Sequence, residues 1–248
     1  MNEEKTQIML INPSKSDEQI EIKIGDSMIK HQPEMTTLGI HLSDNLSMDH
    51  HIWSGKKSII KSLNAKIALL RTLKPYLSTK DLANIGSSLI NSTISYGAPI
   101  WGTTTKKNID RLQKCQTRAA RVIMSKGWEK NKIKTHRQTL FTTLGWPNVQ
   151  QIVNTAIINL AKNAISQKSS NGINNMFKIS YPKKPRLGLG ARISHKGKLI
   201  SNSKIFHVTA PSLFNQLPAH LRDLHLSKEK FKRGLKIQMN KQFHLPKH

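Results

Sequence analysis

The chain has 248 residues, long enough for one or two domains, and carries 40 Lys+Arg against 14 Asp+Glu for a net charge of +26. Its single cysteine, Cys115, excludes an internal disulfide and gives a zinc module no support. No apolar run approaches the ~20 residues of a membrane span, and the acidic start, Met1-Asn2-Glu3-Glu4, reads against a secretory signal. The charge is uneven: residues 1–104 net +1 and residues 105–248 net +25. A block so unbalanced repels itself when compact. The polyanion that most commonly offsets such a block is nucleic acid; an anionic membrane surface and an acidic protein are the rivals.

The first 45 residues read as short strands. Residues 7–11 are apolar and precede the turn signal Asn12-Pro13-Ser14. In 19–24, Ile20, Ile22 and Ile24 alternate with Glu21 and Lys23. Gly25-Asp26 turns the chain into 27–30, and 36–42 is a fourth candidate, with Leu38, Ile40 and Leu42 on one side. A small, mostly antiparallel sheet of three or four strands is expected.

After Asp49 the period becomes helical. Ile52, Ile59, Ile60, Leu63, Ile67 and Leu70 form one stripe, ended by Pro75. Ser78-Thr79-Lys80-Asp81 starts a second helix carrying Leu82, Ile85, Leu89 and Ile94, which Tyr96-Gly97-Ala98-Pro99 stops. A third, 107–124, directs Ile109, Leu112, Cys115, Ala119 and Val122 inward and Arg111, Lys114, Arg118 and Arg121 mostly outward. A fourth, 149–167, is apolar at Ile152, Ala156, Ile157, Leu160 and Ala164, and the four suggest an antiparallel bundle. Beyond it come a linker, Ser169-Ser170-Asn171-Gly172, and a Gly/Pro-punctuated basic loop, 182–198. A compact apolar stretch, 214–222, then leads to a basic amphipathic helix, 227–242, with Phe231, Leu235 and Met239 inward. The fold class expected is α+β, mainly α: a small sheet, a helical bundle, and an irregular basic extension ending in a helix.

Taken in order, several segments resemble the consecutive motifs of a single protein family. Residues 1–9, from Asn2 through Lys5-Thr6 to Met9, look like the N-x-x-K-T-x-x-M segment that follows that family's catalytic aspartates. Leu38-Gly39-Ile40-His41-Leu42, then Leu46 and His51-Ile52, resemble L-G-x-x-L-D-x-x-L-x-x-x-x-H-I, with Ser43 where Asp is usual. Tyr96-Gly97-Ala98-Pro99-Ile100-Trp101 is similar to the Y-G-x-x-x-W that closes the second thumb helix. Leu112-Gln113, Gln116, Ala119, Arg121 and Ile123 match an L-Q-x-x-Q-x-x-A-x-R-x-I helix. Phe214-Asn215-Gln216-Leu217-Pro218, Leu221-Arg222 and Phe231-Lys232 resemble the W-N-x-L-P-x-x-L-R … F-K close. The family these segments resemble is the reverse transcriptase of non-LTR (LINE-type, jockey-like) retrotransposons.

The resemblance implies a palm-end sheet over 1–48, a thumb-like bundle over 49–167 and a basic C-terminal extension over 168–248. Fingers, most of the palm and the endonuclease would lie before Met1. The family's polymerase carboxylates hold two metal ions that activate the primer hydroxyl and stabilise the leaving group. They come from an upstream Asp and a Y/F-A-D-D turn, and this chain has no Asp-Asp pair. No catalytic residue and no cofactor is therefore expected in it, Mg belonging with the palm, and alone it should not polymerise. The implied partners are RNA template, DNA primer or target, and the finger–palm unit; a nuclear or cytoplasmic location follows, with no membrane. A domesticated or unrelated basic RNA-binding protein is the alternative.

Leu38 and Gly39 fall where the family forms its primer grip, with Gly39 allowing close backbone approach; an ordinary strand glycine is the plain alternative. Arg111, Lys114, Arg118 and Arg121 form one basic helix face, a phosphate track or a solvated surface. Lys183, Lys184, Arg186 and Arg192, with Lys196 and Lys198, make the densest cationic stretch. It lacks the G-K-[ST] of a P-loop, and it suits RNA contact, a tail or a nuclear-import patch. His41, His50 and His51 have no cysteine to complete a zinc set, and His51 suits helix-entry packing. Trp101 and Trp128 suit packing more than base stacking, and Cys115 suits the core.

Overall fold

A computed structural model describes residues 6–14, 20–124, 137–181, 191–195 and 206–241. The N-terminal strands form two separate antiparallel hairpins rather than one sheet of three or four strands. Strand β1 (Glu21–Ile24) pairs with β2 (Ser27–Lys30) across Gly25-Asp26, where Gly25 takes a φ of 60°. A Lys30–Glu21 ion pair at 3.0 Å bridges the two strands. The alternation of residues 19–24 marks no packed face here: Ile20 and Ile22 stay 39% and 45% exposed.

The 36–42 segment is not one strand. Strand β3 (Glu34–Thr37) reverses at Leu38-Gly39 and returns as β4 (Ile40–Ser43), Thr37 opposite Ile40. Both turn residues have positive φ, 48° and 75°, the requirement of the two-residue turn that matches strand twist. Leucine is a poor former of that conformation, which is why apolar alternation alone hid the turn. Residues 7–11 form no strand: Ile8 makes a single parallel bridge to His31, and the Leu10 amide donates to His31 Nδ1 at 3.0 Å.

A π-helical turn, His50–Ser54, leads into α1 (Ile59–Leu73). Ser58 caps α1 by accepting the Lys61 amide, and Ile59, Leu63, Ile67 and Leu70 bury one stripe of it. The second helix starts as expected, with Ser78 Oγ accepting the Asp81 amide at 3.1 Å. It runs as α2 (Thr79–Gly86), a π-helical turn (Ser87–Asn91) and α3 (Ser92–Ser95). Gly97, at φ 62°, then breaks it, and α4 (Ala98–Trp101) turns Trp101 fully into the core. The third helix, α5 (Lys106–Met124), packs along α1 and α2. After α6 (Arg137–Leu144), the expected fourth helix appears as α7 (Val149–Ile165). Its capping box pairs Asn148 with Gln151.

Helix α7 is buried on more than one side because it is the hub of the molecule. It touches α3, α4 and α5 on the bundle side. From beyond residue 167 it receives α8 (Asn171–Asn174), the hairpin of β5 (Phe177–Ser180) and β6 (Arg192–His195), α9 (Phe206–Asn215) and α10 (Lys228–Lys241). A 3₁₀ turn, Ala219–Arg222, joins α9 to the last segment. Phe177, Ile193, Phe214, Phe231, Leu235 and Met239 join Leu112, Ile157 and Ile158 in one buried cluster. Each large apolar side chain so buried contributes roughly 1.5–3 kcal/mol. The described part of the C-terminal extension is thus built onto the bundle, not trailing from it.

Candidate nucleic-acid interface

Two motif segments 58 residues apart meet at one point. The Tyr96 hydroxyl donates to the Leu38 carbonyl at 2.6 Å, and the Trp101 indole N–H donates to the Tyr96 carbonyl at 2.8 Å. Gly97 packs so tightly that a Cβ there would lie 2.5 Å from Ile40 Cδ1. The leucine-glycine tip is therefore held in place by the tyrosine-glycine and tryptophan that end the second helix. Gly39 is needed for its φ rather than for space, since a Cβ would meet Tyr96 at an ordinary 3.8 Å. Leu38 itself is 84% exposed. A large apolar residue held out to solvent in a left-handed conformation carries about 1–2 kcal/mol of strain.

Behind the tip sits a histidine cluster. His41 lies 5.5 Å from His50 and 5.9 Å from His51, ring centre to ring centre. Thr36 Oγ1 and His41 Nδ1 share a hydrogen bond of 2.7 Å, and His50 Nδ1 pairs with Glu34 at 2.9 Å. Among the described residues no group of His, Cys, Asp or Glu is placed to hold a metal ion. His51 is buried, as helix-entry packing requires. Its Nδ1 accepts the His41 amide, so the ring proton is on Nε2, which has no partner among the described residues. Burial, then the neighbouring His41, lowers its pKa from 6.5 to about 4.

The same π-helical turn reaches the basic face of α5. Arg111 stacks its guanidinium 4.0 Å above the Trp53 ring. Its Nη1 donates to Asn108 Oδ1, while Asn108 Nδ2 donates to Asp49 Oδ1 at 2.7 Å. Arg111 is thus a half-buried strut tying α5 to the entry turn. Arg118 is exposed but leans on α1 through Asn64 and approaches Cys115 Sγ at 3.8 Å. Burial raises the Cys115 thiol pKa against the opposing pull of Arg118. Lys114 and Arg121 are exposed, and neither has a carboxylate partner among the described residues.

The motif glutamines of α5 face the interior. Gln116 donates to Asn91 Oδ1 and to the Pro147 carbonyl, both at 2.8 Å, and accepts from Gln113 at 3.0 Å. Gln113 Oε1 accepts the Val149 amide at 3.0 Å. This clamp ties α5 to the π-helical turn at Ser87–Asn91 and to the first turn of α7. Asn91, the last residue of that widened turn, is the one aimed at Gln116.

Arg192 belongs to a different part of the fold, exposed on β6, which packs on α9. Beside it Arg222 donates from Nε to the Leu217 carbonyl at 3.0 Å. Burial, then the Arg192 charge, lowers the Arg222 pKa. Lys183, Lys184, Arg186, Lys196, Lys198 and Trp128 lie outside the described residues, as do Asn2 and Lys5 of the first motif. Arg192 opens β6, paired with Ser180 of β5. Sequence reasoning missed Trp53, Asp49 and Asn108 as the holders of Arg111; aspartate and asparagine 59 residues apart leave no local signal. No described helix is long and apolar enough to cross a membrane. Comparison with protein-family models, curated proteins and solved structures finds no match to this chain.

Proposed function

We propose that the chain is the nucleic-acid-holding thumb and C-terminal region of a non-LTR-type RNA-directed DNA polymerase. It grips an RNA template and DNA primer through backbone phosphates, alongside a finger–palm unit that supplies the carboxylates and Mg. The reading rests on the ordered motifs, and one observation carries it furthest. The α5 face presents Lys114, Arg118 and Arg121 to solvent within a region netting +25, with no carboxylate paired to Lys114 or Arg121 among the described residues. Phosphate contacts of this kind position a duplex without reading its sequence. The strained, exposed tip at Leu38-Gly39, braced by Tyr96, is assigned to the primer end. An intracellular site of action, nuclear or cytoplasmic, goes with this role.

The α5 cations separate into two kinds, which makes the test clean. Arg111 and Arg118 also hold the fold, whereas Lys114 and Arg121 do not. In the double variant Lys114→Gln/Arg121→Gln, affinity for an RNA–DNA hybrid duplex at low salt falls about tenfold, the loss expected for two phosphate contacts. Unchanged affinity in a folded variant contradicts the assignment.

A further inference from the structure

We propose that a cavity between α7 and the start of α10 is a phosphate-binding site, separate from the α5 face. The cavity has a volume of about 540 Å³, and Lys162, Lys168, His225, Ser227, Lys228 and Lys232 are among the residues lining it.

Lys162 is the anchor. It is only 7% exposed, yet it has no carboxylate partner among the described residues. Its ammonium donates to the Asp223 carbonyl at 2.6 Å and lies 5.6 Å from the centre of the Phe231 ring. An ammonium has three donors, and the bond to the Asp223 carbonyl uses one of them, which leaves the charge able to take a further acceptor. Asp223 turns its carboxylate to the His225 amide, at 2.9 Å, and Glu229, exposed in the first turn of α10, does not line the cavity. Burial lowers the Lys162 pKa, Asp223 draws it back up, and Lys168 lowers it further.

The rim adds positive charge where like charges repel. Lys228 and Lys232 stand four residues apart on α10, a spacing that is unfavourable for two cations without a shared anion. Helix α10 begins at the same rim. Ser227 Oγ takes the Lys230 amide at 3.4 Å and the Ser227 carbonyl the Phe231 amide at 2.9 Å. The amides of Lys228 and Glu229 then have no acceptor among the described residues, the electropositive end that favours anions. Among the described residues no arginine lines the cavity. Dispersed point charges on lysines suit a phosphate, whose oxygens accept from several directions, better than the planar fork of a carboxylate, which suits arginine. The volume leaves room for whatever the phosphate is attached to, a free phosphorylated small molecule or a nucleic-acid backbone.

The experiment is calorimetric titration of the full chain with inorganic phosphate at constant ionic strength, balanced with chloride. Saturable binding is expected, weakened about tenfold or more in Lys228→Gln/Lys232→Gln and retained in Lys114→Gln/Arg121→Gln. A second arm separates the sources. Displacement of phosphate by a short single-stranded oligonucleotide identifies the backbone as the ligand. Displacement by a 5′-mononucleotide but not by the oligonucleotide identifies a small molecule. Phosphate binding that is absent, or equal in the wild type and Lys228→Gln/Lys232→Gln, overturns the proposal.

Discussion

Leu38 concentrates the tension between stability and use at a single residue. Its φ of 48° suits asparagine far better than leucine, and its side chain is not covered. Leu38→Asn is therefore expected to raise unfolding stability by about 0.5–1 kcal/mol while weakening placement of a primer end. Denaturant unfolding together with hybrid-duplex binding reads both effects, and a destabilised variant contradicts the strain. His51 acts in the opposite sense. Its pKa is about 4 in the folded chain against about 6.5 in the unfolded chain. The stability it contributes is present above about pH 6.5 and is lost as pH falls towards 4, by up to about 3 kcal/mol. His51→Asn keeps an acceptor for the His41 amide and cannot titrate. The stability difference between wild type and variant should move against the wild type by that amount between pH 7 and pH 4; a constant difference contradicts the assignment.

At the scale of elements, the load falls on contacts between helices rather than on the helices alone. Gln116→Ala should cost about 2–3 kcal/mol in unfolding free energy, because it leaves Asn91 Oδ1 and the Pro147 carbonyl without their donor. A loss below about 0.5 kcal/mol removes the clamp from the account. Of the helices, α1, α2, α5, α7 and α10 were legible in the sequence, since apolar spacing, the Ser78 start, Pro75 and Gly97 mark them locally; α6, α8 and α9 were not expected, and Ile52, placed on the first stripe, lies in a separate π-helical turn. Legible too were Phe231, Leu235 and Met239 as the buried face of α10. The strands were less so. Leu38-Gly39 turns the chain without a turn-forming first residue, and β5 pairs with β6 across eleven intervening residues that give no strand signal. In the candidate site, the exposed lysine and arginines of α5 were readable from spacing. The distinction between Arg111 as strut and Lys114 as a cation with no carboxylate partner among the described residues was not, because it depends on Trp53 and on the Asp49–Asn108 contact.

On the scale of the molecule, the charge boundary near residue 105 divides elements that share one core. The near-neutral part supplies the hairpins, α1 and α2; the +25 part begins at α5 and wraps around α7. A core that spans the boundary holds the basic part in a fixed shape, so its self-repulsion persists until an anion screens it. Gripping a duplex through phosphates should then be steep in salt and indifferent to sequence. The most direct test is the affinity of the full chain for RNA–DNA hybrids of unrelated sequence across a series of salt concentrations. The account predicts a line of log K against log salt with a slope of about −3 or steeper, the signature of several neutralised phosphates, superimposable for every sequence. A flat line, or one hybrid bound far above the rest, contradicts it.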